Sequence, residues 1–242
     1  MNKLLFKELF FNLLLSLILF NGLIAILFII ENLWPSISLL NFSSYEFVVG
    51  IIASIIGVGY VLTIRNPQNY LGFYMGILMS LLLSLQFYMK GLFDLTILYL
   101  FVFIPFQIFS IYSWRTTTNT QIAKPEFLSA KKGVVSIIVF ILLIIGDYLF
   151  ASYFVNHDAL WQGISNKCIN GIVISASILA NFWLIYKKID AWIYWIIYSV
   201  AGIIQGIVVL HNPFNTILFV FFLFINSIAA YSWIKNRENA KK

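Results

Sequence analysis

The sequence is poor in charge. Only 10% of its 242 residues are Asp, Glu, Lys or Arg, while 62% are hydrophobic and the mean hydropathy is +0.95. A soluble domain carries about 25% charged residues, and a single core of this length cannot bury so much apolar surface. The chain therefore reads as a membrane protein with no room for a soluble catalytic or nucleic-acid-binding domain. Cysteine is nearly absent: Cys168 stands alone, which excludes an internal disulfide, a dithiol relay and a cysteine-based metal cluster. Acids are scarce as well, and Asp147 is the only one well inside an apolar run. The sequence has no paired intramembrane Asp, no HExxH, no nucleophile elbow and no lysine inside the last apolar run, so no enzyme class finds its machinery here. His157 and His211 fall in predicted outer loops without metal-ligand partners at useful spacing, and neither a metal nor another cofactor is expected.

What the chain does have is long apolar runs. Eight are separated by polar turns, at about 9–31, 45–64, 70–89, 94–113, 133–155, 168–186, 191–210 and 214–234. They lack the period-2 alternation of a porin strand, so each must satisfy its backbone as an α-helix. The first is too long for a secretion signal and is followed by no small-x-small cleavage site; it reads as a membrane anchor over residues 1–31.

The cations agree with eight spans. With a cytoplasmic N-terminus, Lys3, Lys7, Arg65, Arg115, Lys124, Lys131, Lys132, Lys187, Lys188, Lys235, Arg237, Lys241 and Lys242 fall on one side, and only Lys90 and Lys167 on the other. That partition follows the positive-inside rule and puts both termini, including the basic tail 235–242, in the cytoplasm. Adding or removing one span would scramble it. The longest loop, about 114–132, reads as a solvated cytoplasmic connector and is assigned no site.

Across that loop the chain repeats itself. Thr96-Ile97-Leu98-Tyr99 and Tyr112-Ser113-Trp114-Arg115 are echoed by Thr216-Ile217-Leu218-Phe219 and Tyr231-Ser232-Trp233, with one residue of spacing different. The expectation is a three-helix repeat at 45–113, a linking helix at 133–155 and a second three-helix repeat at 168–234. An odd linking span gives both repeats the same orientation, and such parallel repeats are a transporter architecture. The repeat also pairs Gln107 with Asn226, each seven residues before its tryptophan. A carboxamide offers both donor and acceptor, as needed to read an uncharged polar group such as a ribose or an amide; the competing reading is interhelical glue.

Aromatics make up 18% of the chain. Trp34, Trp114, Trp161 and Trp233 lie at span ends and are read as interfacial belt residues. The cluster Trp183, Trp192, Tyr194, Trp195 and Tyr198 is denser than a belt requires. Trp192 and Trp195 share one face of the seventh span, continued inward by Ser199. Such a face can stack on a flat ring and favour a cationic heterocycle. Asp147 reads as a polar contact near the outer face rather than a coupling-ion ligand, which favours facilitated diffusion.

The runs Asn69-Tyr70-Leu71-Gly72-Phe73-Tyr74-Met75-Gly76, Gln86-Phe87-Tyr88 and Gly91-Leu92-Phe93 resemble the first repeat of the PnuC nicotinamide riboside transporters. So do Pro105-Phe106-Gln107 before Tyr112-Ser113-Trp114, and the WxxW of Trp192 and Trp195. The resemblance covers about residues 45–235. It implies seven core helices arranged three-one-three, as in the SWEET sugar transporters, plus the N-terminal helix. It further implies uptake of nicotinamide riboside across the bacterial inner membrane by facilitated diffusion, trapping by a cytoplasmic kinase, and a homo-oligomer such as a trimer. By position, Trp192 and Trp195 would border the ring, and Gln107 and Asn226 the polar groups, with Trp183, Phe103 and Gln86 as further candidates. Ser199 stands where many members carry Asn or Asp. Relatives carry thiamine, riboflavin or deoxynucleosides, so thiamine is the alternative substrate; a non-transporting membrane assembly protein is the second alternative.

Overall fold

The computed structural model describes residues 3–33, 45–89, 93–120, 125–154, 164–208 and 213–239. Trp34, Lys90, His157, Trp161 and His211 lie outside the described residues. The helices are α1 (Lys3–Leu33), α2 (Tyr45–Ile64), α3 (Gly72–Met89), α4 (Phe93–Leu98), α5 (Ile104–Thr120), α6 (Ala130–Phe154), α7 (Ile164–Ile185), α8 (Asp190–Val208) and α9 (Pro213–Asn239). A π-helical turn, Tyr99–Phe103, joins α4 to α5, so these two form one rod and the described residues make eight. Among the described residues there is no strand. Seven rods among the described residues are long and apolar enough to cross a membrane; the eighth, α2, carries a 17-residue apolar stretch, Val48–Ile64. The protein is an all-α polytopic membrane protein. Several helices outrun their apolar cores: α1 starts at Lys3 and α9 continues through Lys235 and Arg237. Hydropathy marks where the hydrocarbon ends, whereas the backbone ladder continues into the polar zone.

The chain divides into two units. The first comprises residues 1–124 with 235–242, and the second comprises 125–234. In the first, α1 is more than an anchor. Its buried Asn12 donates to the Leu62 carbonyl (3.3 Å) and to Thr63 Oγ1 (3.4 Å). Glu8 Oε2 accepts from Asn66 Nδ2 (2.9 Å) and Asn69 Nδ2 (3.1 Å), which ties α1 to the turn between α2 and α3. An apolar count registers these residues only as interruptions. Their role appears once their partners are known.

The second unit ties down its own turn. Within the connector, Glu126 N–H donates to the Lys187 carbonyl (3.3 Å), and Ile189 N–H donates to the Glu126 carbonyl (2.8 Å). The Leu128 N–H donates to Asp190 Oδ2 (2.7 Å), and Lys188 Nζ pairs with Glu126 Oε2 (2.9 Å). The C-terminal part of the loop read as a solvated connector is thus bound to the α7–α8 turn, through backbone groups that composition does not report. Lys187 closes this turn with φ 54°, in the left-handed region, and burial lowers its ammonium to about 8.

The tryptophans at the ends of the fourth and last spans are not belt residues. Trp114 and Trp233 are fully buried. Trp114 meets Phe73 edge-on (4.7 Å between centroids, 88°), and Trp233 meets Trp192 in the same manner (5.5 Å, 80°). Each anchors the last rod of its unit to the helix that begins after the preceding turn, α3 or α8, a role for which ring area counts more than amphipathicity.

The π-turn has a counterpart in the spacing. Gln107 and Asn226 are 119 positions apart, as are Trp114 and Trp233, Ser80 and Ser199, and Gln86 and Gln205, whereas Thr96 and Thr216 are 120 apart. The extra residue lies between Thr96 and Gln107, and within that interval the Ile104 N–H reaches back five residues to the Tyr99 carbonyl. A π-turn absorbs one residue without rotating the downstream helix. Pro105 favours the widening, because its ring would press on the Phe101 carbonyl in a regular α-helix.

Candidate functional site

In the second unit, α8 gathers the candidate residues on one face. Trp192, Trp195, Ser199, Gly202 and Gln205 recur at three- and four-residue steps and are buried, whereas Ile193, Val200, Ile204 and Ile207 look outward. Two glycines let α9 approach. A Cβ on Gly202 would run into the Phe219 ring, and one on Gly206 would lie 3.0 Å from the Thr216 backbone nitrogen. That approach brings Asn226 onto α8: its Nδ2 donates to Ser199 Oγ (3.1 Å) and to the Trp195 carbonyl (3.4 Å). Ser199 Oγ in turn donates to the same carbonyl (2.9 Å).

Both tryptophans are held by other rings. Trp195 stands edge-on to Tyr198 (5.3 Å), which itself meets Phe219 (5.3 Å), as Trp192 does to Trp233. Neither faces the bilayer as a belt residue would. Among the described residues, the Trp192 and Trp195 Nε1 donors, Ser175 Oγ and the Asn226 Oδ1 acceptor are buried with no hydrogen-bond partner. A buried polar atom without a partner costs about 1–3 kcal/mol. Two indole donors and an amide acceptor on one pair of helices, beside aromatic faces, are what a flat ligand with polar substituents would satisfy.

Trp183 is engaged elsewhere. Its Nε1 donates to Ser136 Oγ (2.8 Å), which also bonds the Tyr194 hydroxyl (2.7 Å), so it links α6, α7 and α8. A second polar chain crosses the same three helices: Gln205 Nε2 donates to Asn170 Oδ1 (3.3 Å), and Asn170 Nδ2 donates to Asp147 Oδ2 (3.3 Å).

In the first unit, Gln107 is buried on α5 over Gly76 of α3, within reach of the Tyr60 hydroxyl. Ser80, also buried, lies one turn beyond Gly76. Gln86 packs against Gly50 of α2, and Phe103 lies in the π-turn edge-on to Tyr99 (4.7 Å). Tyr60, Ser80 and Ser175 are not singled out by the sequence, and Gly76 enters it only as the last residue of the run Asn69 to Gly76. Ser80 was reachable, since it shares with Ser199 the separation that links the paired amides; Tyr60 and Ser175 are marked only by burial.

The model of the family described as nicotinamide mononucleotide transporter matches residues 47–235, from α2 to the Trp233 end of α9. The chain belongs to this family. It is a transporter rather than an enzyme. A solved structure, the crystal structure of the vitamin B3 transporter PnuC, superposes with a TM-score of 0.67 at 16% identity. The match covers 95% of this chain and 92% of that one, which shows a shared fold. No curated protein matches the sequence. Of the secondary-structure rods, only α1 lies outside the match to the family.

Proposed function

We propose that this family member takes up nicotinamide riboside across the bacterial inner membrane by facilitated diffusion, the product being held in the cytoplasm by phosphorylation. The observation that carries the reading is the α8–α9 face. It combines the rings of Trp192 and Trp195, suited to a cationic heterocycle, with buried polar atoms that have no partner among the described residues. Gln107 is proposed, on its own unit, as a donor and an acceptor for a ribose or amide group. Facilitated diffusion is supported by Asp147, whose carboxylate accepts from an amide chain spanning three helices.

The same reading covers organisation. Two three-helix repeats in parallel orientation, with α6 linking them, account for the shared separation of the paired residues and for the π-turn that takes up the odd one. The charge partition supports a cytoplasmic location for both termini.

Calorimetric titration of the purified protein tests the substrate. Nicotinamide riboside is expected to bind saturably, and thiamine, riboflavin, deoxythymidine and the phosphorylated nicotinamide mononucleotide at least tenfold more weakly. Binding of thiamine alone would move the specificity, and silence across the panel would overturn the transport site.

A further inference from the structure

Among the positions at which the two units differ, one removes a side chain altogether. Where α8 carries Trp195, the residue 119 positions earlier on α3 is Gly76. The missing side chain is replaced from a neighbouring rod. A Cβ on Gly76 would lie 2.7 Å from Gln107 Oε1, 2.8 Å from its Cδ and 3.2 Å from a Tyr60 ring carbon, so the carboxamide occupies the space that a side chain on α3 would take. Gln107 is 1% exposed. The Tyr60 hydroxyl lies within hydrogen-bond reach of it, and one turn further along α3 Ser80 Oγ is buried without a hydrogen-bond partner among the described residues. Phe73, edge-on to Trp114 and 5.9 Å from Tyr60, closes the cluster on the side of the α2–α3 turn.

We infer that Gly76 is a specificity-determining position: by seating Gln107 beside Tyr60, it sets the carboxamide and a hydroxyl that read an uncharged polar group of the substrate. The inference rests on the transport reading above and deepens it. Gly76 acts through Gln107 and is a positioning residue. Its neighbour is the free end of a flexible side chain, so a methyl group there displaces the amide rather than the helices.

The test compares wild type, Gly76→Ala, Gln107→Ala and the double variant, by melting temperature and by calorimetric affinity for nicotinamide riboside and 1-methylnicotinamide. Gly76→Ala is expected to lower riboside affinity tenfold or more, matching Gln107→Ala. The double variant should be no weaker than either and should melt at or above Gly76→Ala, because removing the amide makes room for the methyl. Loss confined to the riboside assigns the cluster to the ribose; loss on both ligands assigns it to the carboxamide. Unchanged affinity in Gly76→Ala, or a double variant whose loss is the product of the single losses, overturns the inference. A wild type that binds neither ligand instead overturns the substrate reading, and the specificity claim falls with it even if the melting pattern survives as packing.

Discussion

Trp195→Ala is expected to weaken nicotinamide riboside binding by about 10- to 100-fold, measured on the protein that remains folded in detergent. Stacking of a flat base on an aromatic side chain contributes about 1–3 kcal/mol, and about 1.4 kcal/mol corresponds to a factor of ten. Trp195 retains some exposure and packs edge-on to Tyr198, and its indole N–H has no partner among the described residues; Trp192 is fully buried against Trp233. Truncating Trp192 therefore carries the larger packing loss, and Trp195 is the better test of binding. Trp195→Phe keeps a ring and discards the N–H, so its affinity should fall between wild type and alanine. Equilibrium titration of the three proteins, each well below its own melting temperature, gives the answer. An affinity for Trp195→Ala equal to wild type would remove this residue from the site.

The second large effect concerns register. Deleting Phe101, with Pro105 replaced by the Phe found at the matching place in α9, Phe224, should convert the π-turn to regular helix and leave a folded protein. Phe101 is 71% exposed, so its removal leaves no cavity. Deleting Ile108 instead rotates the rest of the helix by about 100°. Gln107 and Trp114 can then no longer both reach α3: either the amide leaves Gly76 or the indole leaves Phe73. Loss of a buried tryptophan contact costs about 3–5 kcal/mol, enough to collapse the folded fraction in detergent. Size-exclusion profiles and thermal melts of the two deletions compare directly; equal damage from both would refute the idea that the π-turn stores a removable residue.

Much of the fold is legible in the sequence, and for a physical reason. Apolar length and the placement of Lys and Arg respond to the bilayer itself, so eight rods emerge from composition with little tertiary information. The WxxW of Trp192 and Trp195 stands out because two indoles three residues apart must share a helix face. What the sequence hides is the direction in which rings and amides point. Trp114 and Trp233 occupy belt positions along their helices yet face inward, and period alone cannot tell a lipid-facing indole from a buried one in a helix that is apolar all round. The bonds of Glu8 to Asn66 and Asn69, and of Asp190 to Leu128, join segments about 60 residues apart in sequence and carry no local signature. Gly76 reads locally as a helix weakness, and only the carboxamide above it shows why a side chain is absent.

Uptake of labelled nicotinamide riboside into proteoliposomes without any ion gradient tests the central claim most directly. The label should enter at a rate proportional to the protein present, stop when inside and outside concentrations are equal, and be unaffected by an imposed proton or sodium gradient. Accumulation above equilibrium driven by either gradient, or entry no faster than into protein-free vesicles, would contradict the account.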